Sequence, residues 1–116
     1  MTDDLTSLLR DYVSDSEEAF DRVSLMVVEE PERCWDLLIR ALSAGLTEQE
    51  LAFLAAGPLE DLLSHHGRKF IDRLEVAARQ DKTMRYLVAA VWRGGMNAET
   101  WSRVEALRRR LSIVPV

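Results

Sequence analysis

Apolar residues recur along the chain at intervals of three and four positions, the spacing that places them on one face of an α-helix. Stretches that alternate apolar and polar residues are short, and the hairpin dipeptides Asn-Gly and Asp-Gly do not occur. The pattern therefore predicts an all-α protein of seven or eight short helices. The stripes are Leu5, Leu8, Leu9 and Tyr12; Phe20, Val23 and Val27; Trp35, Leu38, Ile39 and Leu42; Leu51, Leu54 and Ala55, continued by Leu59, Leu62 and Leu63; Phe70, Ile71, Leu74, Ala77 and Ala78; Met84, Leu87, Val88, Val91 and Trp92; and Trp101, Val104 and Leu111.

Residues that favour helix ends lie between the apolar stripes. Thr47 and Glu50 have the spacing of a capping box, in which each side chain accepts a hydrogen bond from the backbone N–H of the other residue. Ser14 and Glu17 have the same spacing and predict a second box. Asparagine caps helix starts, proline suits the first helical position, and glycine ends helices by adopting the left-handed conformation. The other predicted ends are starts at Pro31 and Asn97 and stops at Gly45, Gly67 and Gly94.

The stretch GPLEDLLSHHG, residues 57–67, is predicted to form a corner between two helices. Gly57 would end one helix and Pro58 would begin the next, because a first helical position needs no N–H donor. A second stop at Gly67 would follow. The stretch is thus interpreted mainly as a structural feature.

The same stretch contains the strongest candidate for a chemical site. Glu60 and Asp61 would lie in the first turn of a helix, where carboxylates favour the positive end of the helix dipole, and His65 in its last turn. Asp61 and His65 are four residues apart and can touch on one helix face. His65 and His66 are adjacent and point about 100° apart, so they cannot bind one ion together. Two ligands fall short of the three or four of a zinc site, and no metal ion or cofactor is predicted.

Length and composition predict a single domain spanning residues 1–116. With 47% hydrophobic and 30% charged residues, the chain has enough apolar surface to offset the loss of chain entropy on folding. Cys34 is the only cysteine, which is typical of a reducing compartment. Because it lies beside Trp35 in an apolar stripe, we expect a buried thiol rather than a nucleophile.

No stretch predicts export or membrane insertion. The beginning MTDDLTSLLRDY is acidic where a secretory signal is basic. Apolar runs such as YLVAAVW are far shorter than the roughly 18 residues of a membrane span. We therefore expect a cytoplasmic protein without a membrane partner.

Charge is distributed unevenly along the chain. Residues 1–61 contain fifteen acidic and four basic side chains, a balance of −11, whereas residues 62–116 contain five acidic and eleven basic side chains, a balance of +6. The halves can attract each other within the fold, or each can present a field of one sign to a partner. Attraction within the fold is the preferred interpretation.

A basic run, Arg108, Arg109 and Arg110, lies near the C-terminus. We expect these arginines to cap the negative end of the last helix. The apolar tail that follows, residues 111–116, would either pack back or engage a partner. Nucleic-acid binding through the basic half is a weaker alternative, because a protein with a pI near 5.0 lacks a broad positive surface.

Three segments are similar enough to indicate a repeat. PERCWDLLIRAL, HGRKFIDRLEVA and NAETWSRVEALR each have an aromatic residue at the fifth position: Trp35, Phe70 and Trp101. The spacings, 35 and 31 residues, suit a stack of helical hairpins. A short HEAT-like stack and a simple bundle, in which the likeness is due to chance, are both consistent with this pattern.

The long segment LAAGPLEDLLSHHGRKFIDRLEVAARQD, the later Val91-Trp92 pair and Trp101 resemble a bacterial domain family built around a GPLEDLL core. The upstream EEPERCWDLLIRAL is similar to that family's Pro-Glu start and tryptophan-containing helix. The resemblance covers about residues 28–105 and implies a helical domain from a bacterium. It transfers no catalytic residue, because the family has no established role. Positions that match its core are Gly57, Pro58, Leu59, Glu60, Asp61, Leu62, Leu63, His65, Gly67, Ile71 and Trp92.

The predicted function is that of a non-enzymatic protein-interaction module, comparable to an immunity protein or an antitoxin. Its acidic helices would steer a basic partner electrostatically. Metal-dependent or hydrolytic activity centred on Glu60, Asp61 and His65 is the alternative from another class. The candidate motif residues are Gly57, Pro58, Glu60, Asp61, His65 and Trp92, and the candidate partner-binding residues are Asp3, Asp4, Asp11, Asp15, Glu17, Glu18 and Asp21.

Overall fold

The apolar stripes form helices in a computed structural model of the chain, which describes residues 4–116. The helices are α1 (Asp4–Val13), α2 (Glu17–Glu29), α3 (Pro31–Ala41), α4 (Glu48–Leu54), α5 (Glu60–Gln80), α6 (Lys82–Ala90) and α7 (Ala98–Arg110). A π-helical turn, Ala55–Leu59, joins α4 to α5. Residues 4–116 therefore contain six separate helical segments and no β-strand. The all-α prediction is confirmed.

The core is built around α5, the longest helix. α5 packs against α2, α3, α6 and α7, and α1 packs against α2 and α3. The Cα radius of gyration is 13.2 Å, close to the ~13 Å expected for a compact chain of this length. The described residues thus form one compact unit. Its largest fully buried side chains are Phe70, Leu37, Leu38, Leu54, Leu59, Leu62, Leu63, Ile71, Leu74, Met84, Leu87 and Leu107.

Several helix starts lie where the sequence predicts them. Thr47 and Glu50 form the capping box: Thr47 Oγ1 accepts from the Glu50 N–H at 3.1 Å, and Glu50 Oε1 accepts from the Thr47 N–H at 2.9 Å. Pro31 is the first residue of α3. Asn97 caps α7 by accepting a hydrogen bond from the Thr100 N–H at 2.8 Å. These starts depend on neighbouring residues alone, so local spacing was sufficient to predict them.

The capping box predicted for Ser14 and Glu17 is wrong. Ser16 caps α2 instead, and its hydroxyl accepts a hydrogen bond from the Ala19 N–H at 3.2 Å. The reason is the turn that precedes α2, in which Asp15 has a left-handed φ of 68°. The chain completes this reversal before the helix begins.

The corner predicted at Gly57 and Pro58 is also wrong, because the helical path continues through both residues. The π-helical turn contains them and passes directly into α5, with the Glu60 N–H donating to the Ala55 carbonyl. Within an α-helix, a proline lacks the N–H of its own hydrogen bond, and its ring collides with the carbonyl four residues earlier, here that of Leu54. The wider π turn relieves this collision, so the proline lies inside the helix rather than at its start.

A helix does end near Gly67, as predicted, but the break is at His66. Two helical pieces of α5 meet there, and the φ and ψ of His66, −136° and 34°, are non-helical. His66 Nε2 lies 2.9 Å from the backbone oxygen of Val27 in α2. Gly67 is buried, and a Cβ at this position would overlap the side chain of Thr100 in α7. The glycine therefore allows α5 and α7 to approach closely, and His65 ends the first piece of α5, in the last turn predicted for it.

The turns after α3 and α6 contain the predicted glycines. Gly45 and Gly94 have positive φ values of 69° and 51°. α6 ends earlier than its apolar stripe predicts, at Ala90, because Val91 is extended with φ −72° and ψ 141°. Trp92 consequently leaves the stripe and is 72% exposed.

Arg108 caps a different helix from the one predicted. Its Nε and Nη2 atoms donate to the Val88 carbonyl at 3.0 and 2.9 Å, and Nη2 also donates to the Val91 carbonyl at 2.6 Å. These carbonyls end α6, so the guanidinium satisfies acceptors across the fold. The tail packs back on the same helix, with the Val116 N–H donating to the Ala89 carbonyl at 2.9 Å. In residues 4–116, no helix has both the length and the apolar content needed to cross a bilayer.

Candidate functional site

One face of the GPLEDLLSHHG stretch packs against the turn that precedes α7. Glu60 and Ser64, one helical turn apart, face Gly94 and Gly95. A Cβ on Gly94 would overlap the Glu60 carboxylate, and one on Gly95 would lie 3.4 Å from the Ser64 Oγ. Burial, followed by the negative charge of Asp61, raises the pKa of Glu60. Glu60 is therefore a partly buried carboxylate held against a glycine turn.

Asp61 influences a different set of groups. Burial raises the pKa of Asp61, and the positive charge of His65 opposes this with a smaller effect. Burial, followed by the charge of Asp61, raises the pKa of Tyr12 to about 12. The same two causes, in the same order, raise the pKa of Cys34 to about 12. Both groups stay protonated at neutral pH, so neither supplies an anionic nucleophile.

The remaining motif residues have packing roles. Gly57 lies against α1 so closely that a Cβ would overlap the Tyr12 Oη, and Pro58 is buried in the π-helical turn. Among residues 4–116, no group of three or more His, Cys, Asp and Glu side chains is arranged to hold a metal ion. The two carboxylates of the motif therefore act at different places. Glu60 faces the glycine turn at Gly94, whereas the charge of Asp61 acts on the buried Tyr12.

Trp92 lies just beyond the end of α6. Its ring lines a shallow groove with Trp101, Arg108 and the C-terminal Val116. The Arg108 guanidinium carbon is 5.1 Å from the centroid of the Trp101 ring. Arg108 is already occupied by the carbonyl groups that end α6, so the groove offers a partner mainly apolar surface.

A second surface combines exposed aromatic rings with carboxylates. Phe20 of α2 is 52% exposed and Phe53 of α4 is 41% exposed, and the ring of Tyr12 lies between them, itself only 3% exposed. The Tyr12 centroid is 6.2 Å from that of Phe20, in a stacked arrangement, and 4.9 Å from that of Phe53. The two phenyl rings border a depression of about 500 Å3, called here the aromatic cleft, which is lined by Asp15, Ser16, Glu17, Phe20, Asp21 and Phe53.

The aromatic cleft brings together three of the predicted partner-binding acids: Asp15, Glu17 and Asp21. Two other predicted acids, Asp11 of α1 and Glu18 of α2, are exposed. Asp4 is engaged elsewhere, since its carboxylate lies 3.2 Å from Arg22 and 3.7 Å from Arg33, and Asp3 is outside the described residues.

The phenyl rings of the cleft were not predicted as functional residues. Phe20 belongs to a predicted core stripe, and Phe53 lies between the stripe positions Leu51 and Leu54. The position of Phe53 off its stripe was a signal that its ring faces away from the core. For Phe20 the sequence contains no such signal.

An ion-pair cluster joins the acidic and basic halves of the chain. Glu32 of α3 contacts Arg73 at 2.6 Å and Lys69 at 2.9 Å, both on α5. Hydrogen bonds from Arg73 and then Lys69 lower the pKa of Glu32 to about 2. Attraction between the halves is thus present here, whereas Asp15, Glu17 and Asp21 have no Lys or Arg partner among residues 4–116.

Comparison with known proteins gives the family of the chain but no functional relative. No curated protein and no solved structure matches it significantly. One family model matches residues 12–112, which include the GPLEDLLSHHG stretch and every residue that lines the aromatic cleft. The chain therefore belongs to this family, a family of unknown function designated DUF6869.

Proposed function

We propose that this chain is a non-enzymatic protein-interaction module, of the kind represented by immunity proteins and antitoxins, which covers a basic surface of its partner. One observation carries the proposal: two half-exposed phenyl rings lie among carboxylates that have no cationic partner in residues 4–116. Exposed apolar patches rimmed by polar groups mark interaction sites. The aromatic cleft supplies both the apolar contact and the rim.

The surrounding charges should raise the association rate of the proposed interaction. Residues 1–61 have a balance of −11, and three of their carboxylates, Asp15, Glu17 and Asp21, line the cleft. Charges of one sign steer an oppositely charged partner and raise the association rate, an effect that salt weakens. The complex should therefore form faster at low ionic strength.

The proposal includes a bacterial cytoplasmic setting and a short HEAT-like stack of helices. A single, fully buried cysteine supports a reducing compartment. The three similar sequence segments fall on α3, α5 and α7. Two of their aromatic residues, Trp35 and Phe70, are in contact, with centroids 5.9 Å apart, which supports a stacked arrangement.

Co-purification from cells tests the proposal, at low and at moderate salt. We expect one stoichiometric partner at low salt, with reduced recovery at moderate salt. Asp15→Asn combined with Asp21→Asn should reduce recovery, because two rim charges are lost. Glu99→Gln combined with Glu105→Gln removes two exposed charges of α7 and should leave recovery unchanged. The absence of a stoichiometric partner under both salt conditions would contradict the proposal.

A further inference from the structure

The aromatic cleft contains the elements that recognise a guanidinium group. Its apolar part is a row of three rings in the order Phe20, Tyr12 and Phe53. Tyr12 is buried and supports the two exposed phenyl rings, which line the cleft themselves. Aromatic faces attract cations and also accept the methylene stem of a long basic side chain.

Carboxylates surround these rings without a cation of their own. Asp15, Glu17 and Asp21 line the cleft, and Glu50 lines an adjoining depression that shares Asp15 and Phe53 with it. Neither lining contains a Lys or an Arg. The rim is therefore complementary to a positively charged group on another molecule.

The chain uses the same combination of groups internally. The Arg73 guanidinium carbon lies 4.9 Å from the centroid of the Phe70 ring. The same guanidinium donates two hydrogen bonds to Glu32, at 2.6 and 3.0 Å. A phenyl ring and a carboxylate thus hold an arginine from two directions. The aromatic cleft presents rings and carboxylates in the same neighbourhood but lacks the arginine.

We propose that the aromatic cleft binds an arginine side chain from a basic segment of the partner protein. The methylene stem would lie along Phe20 and Phe53, and the guanidinium would donate to the carboxylates of the rim. Arginine fits better than lysine, because its planar group both stacks on rings and donates two parallel hydrogen bonds to one carboxylate. This inference rests on the proposed function, and it adds the chemistry of the anchoring residue.

Peptide binding to the full-length protein tests the anchor directly. Three probes differ at two positions only: Ac-Gly-Arg-Leu-Arg-Gly-NH2, the same peptide with two lysines, and the same peptide with two citrullines, which keep the shape of arginine without its charge. Binding is followed by 15N NMR at low salt. We expect shifts centred on the aromatic cleft, affinity about two- to fivefold higher for arginine than for lysine, and no saturable shift with citrulline.

Variants identify the contacts. Phe20→Ala and Phe53→Ala should each weaken binding of the arginine peptide about two- to fivefold, whereas Val76→Ala, which shortens an exposed apolar side chain of α5, should have no effect. Both phenylalanines are substantially exposed, and thermal unfolding checks that the variants fold. If one variant does not fold, Asp21→Asn provides the second test of the same cleft and should also weaken binding.

Three results would overturn the inference: equal binding of the arginine and lysine peptides, shifts centred away from the cleft, or no saturable binding. Failure of the anchor is distinguishable from failure of the proposed function. If a co-purified partner is lost with the Asp15→Asn and Asp21→Asn pair but retained by both phenylalanine variants, the interaction module stands and the arginine anchor does not. If no partner is recovered, the proposed function fails whatever the peptides do.

Discussion

Replacing Gly57 with alanine should destabilise the protein, and removing the hydroxyl oxygen of Tyr12 should reverse the effect. A Cβ at Gly57 would overlap the hydroxyl oxygen of Tyr12 and would lie 3.4 Å from its Cζ. The Tyr12 ring cannot easily move aside, because it is buried and packs between Phe20 and Phe53. Gly57→Ala therefore forces a rearrangement of packed rings.

The size of the effect follows from two opposing terms. Overpacking a well-packed site costs about 1–3 kcal/mol. Alanine in a helix is favoured over glycine by about 1 kcal/mol. Alanine at position 57 would meet no backbone strain, because positive φ among the described glycines occurs at Gly45 and Gly94. The net expectation is a loss of up to about 2 kcal/mol. In the Tyr12→Phe background the overlapping oxygen is absent, so Gly57→Ala should be neutral or stabilising by up to about 1 kcal/mol.

Urea unfolding of the wild type, both single variants and the double variant measures this coupling. The double-mutant cycle should give an interaction free energy of about 1–3 kcal/mol between positions 12 and 57. The cost of Tyr12→Phe itself cancels in the cycle. An equal cost of Gly57→Ala in both backgrounds would refute the reasoning, because the oxygen would then not be the source of the strain.

Three further predictions concern stability. Gly67→Ala should cost about 1–2 kcal/mol, and Thr100→Ala should relieve most of this cost in urea unfolding; a Gly67→Ala variant as stable as wild type would contradict the close contact. His65→Ala, at an exposed position, should change the free energy of unfolding by less than about 0.5 kcal/mol. Because the folded-state pKa of Glu32 is lowered from 4.5 to about 2, its stabilising effect is present above pH 4.5 and is lost as pH falls towards 2. Thermal unfolding of Glu32→Gln should therefore show a smaller loss of stability than wild type over that pH range, and equal losses would refute the linkage.

The sequence was sufficient to predict features that depend on neighbouring residues. The capping box of Thr47 and the N-cap Asn97 are examples, since each side chain satisfies a backbone N–H three residues away. Gly57 was misinterpreted as a helix stop, and the break near Gly67 is at His66 rather than at the glycine. The role of the two glycines is to allow close contact with Tyr12 and Thr100, which are distant in sequence. A glycine that ends a helix and one that admits a neighbouring element look alike in a single sequence.

The aromatic cleft could be predicted only in part. The concentration of carboxylates in α1 and α2 is visible in the sequence, and Asp15, Glu17 and Asp21 do meet at one depression. The exposure of Phe20 was not predictable, because an apolar stripe shows which residues share a helix face and not how widely neighbouring helices cover that face. α2 presents the Phe20 ring at the edge of its contact with Tyr12, where the core ends.

Helix electrostatics account for some of the carboxylates at the cleft but not for the whole surface. Glu17 and Glu18 lie in the first turn of α2, where negative charge stabilises the helix by about 0.3–1 kcal/mol each. This stabilisation needs no exposed ring beside it, and it does not require Asp21, which lies beyond the first turn. Two phenyl rings left half-exposed to water forgo the burial that stabilises the other large side chains of the core. Helix stabilisation alone therefore does not account for this combination, which supports the proposed interaction surface.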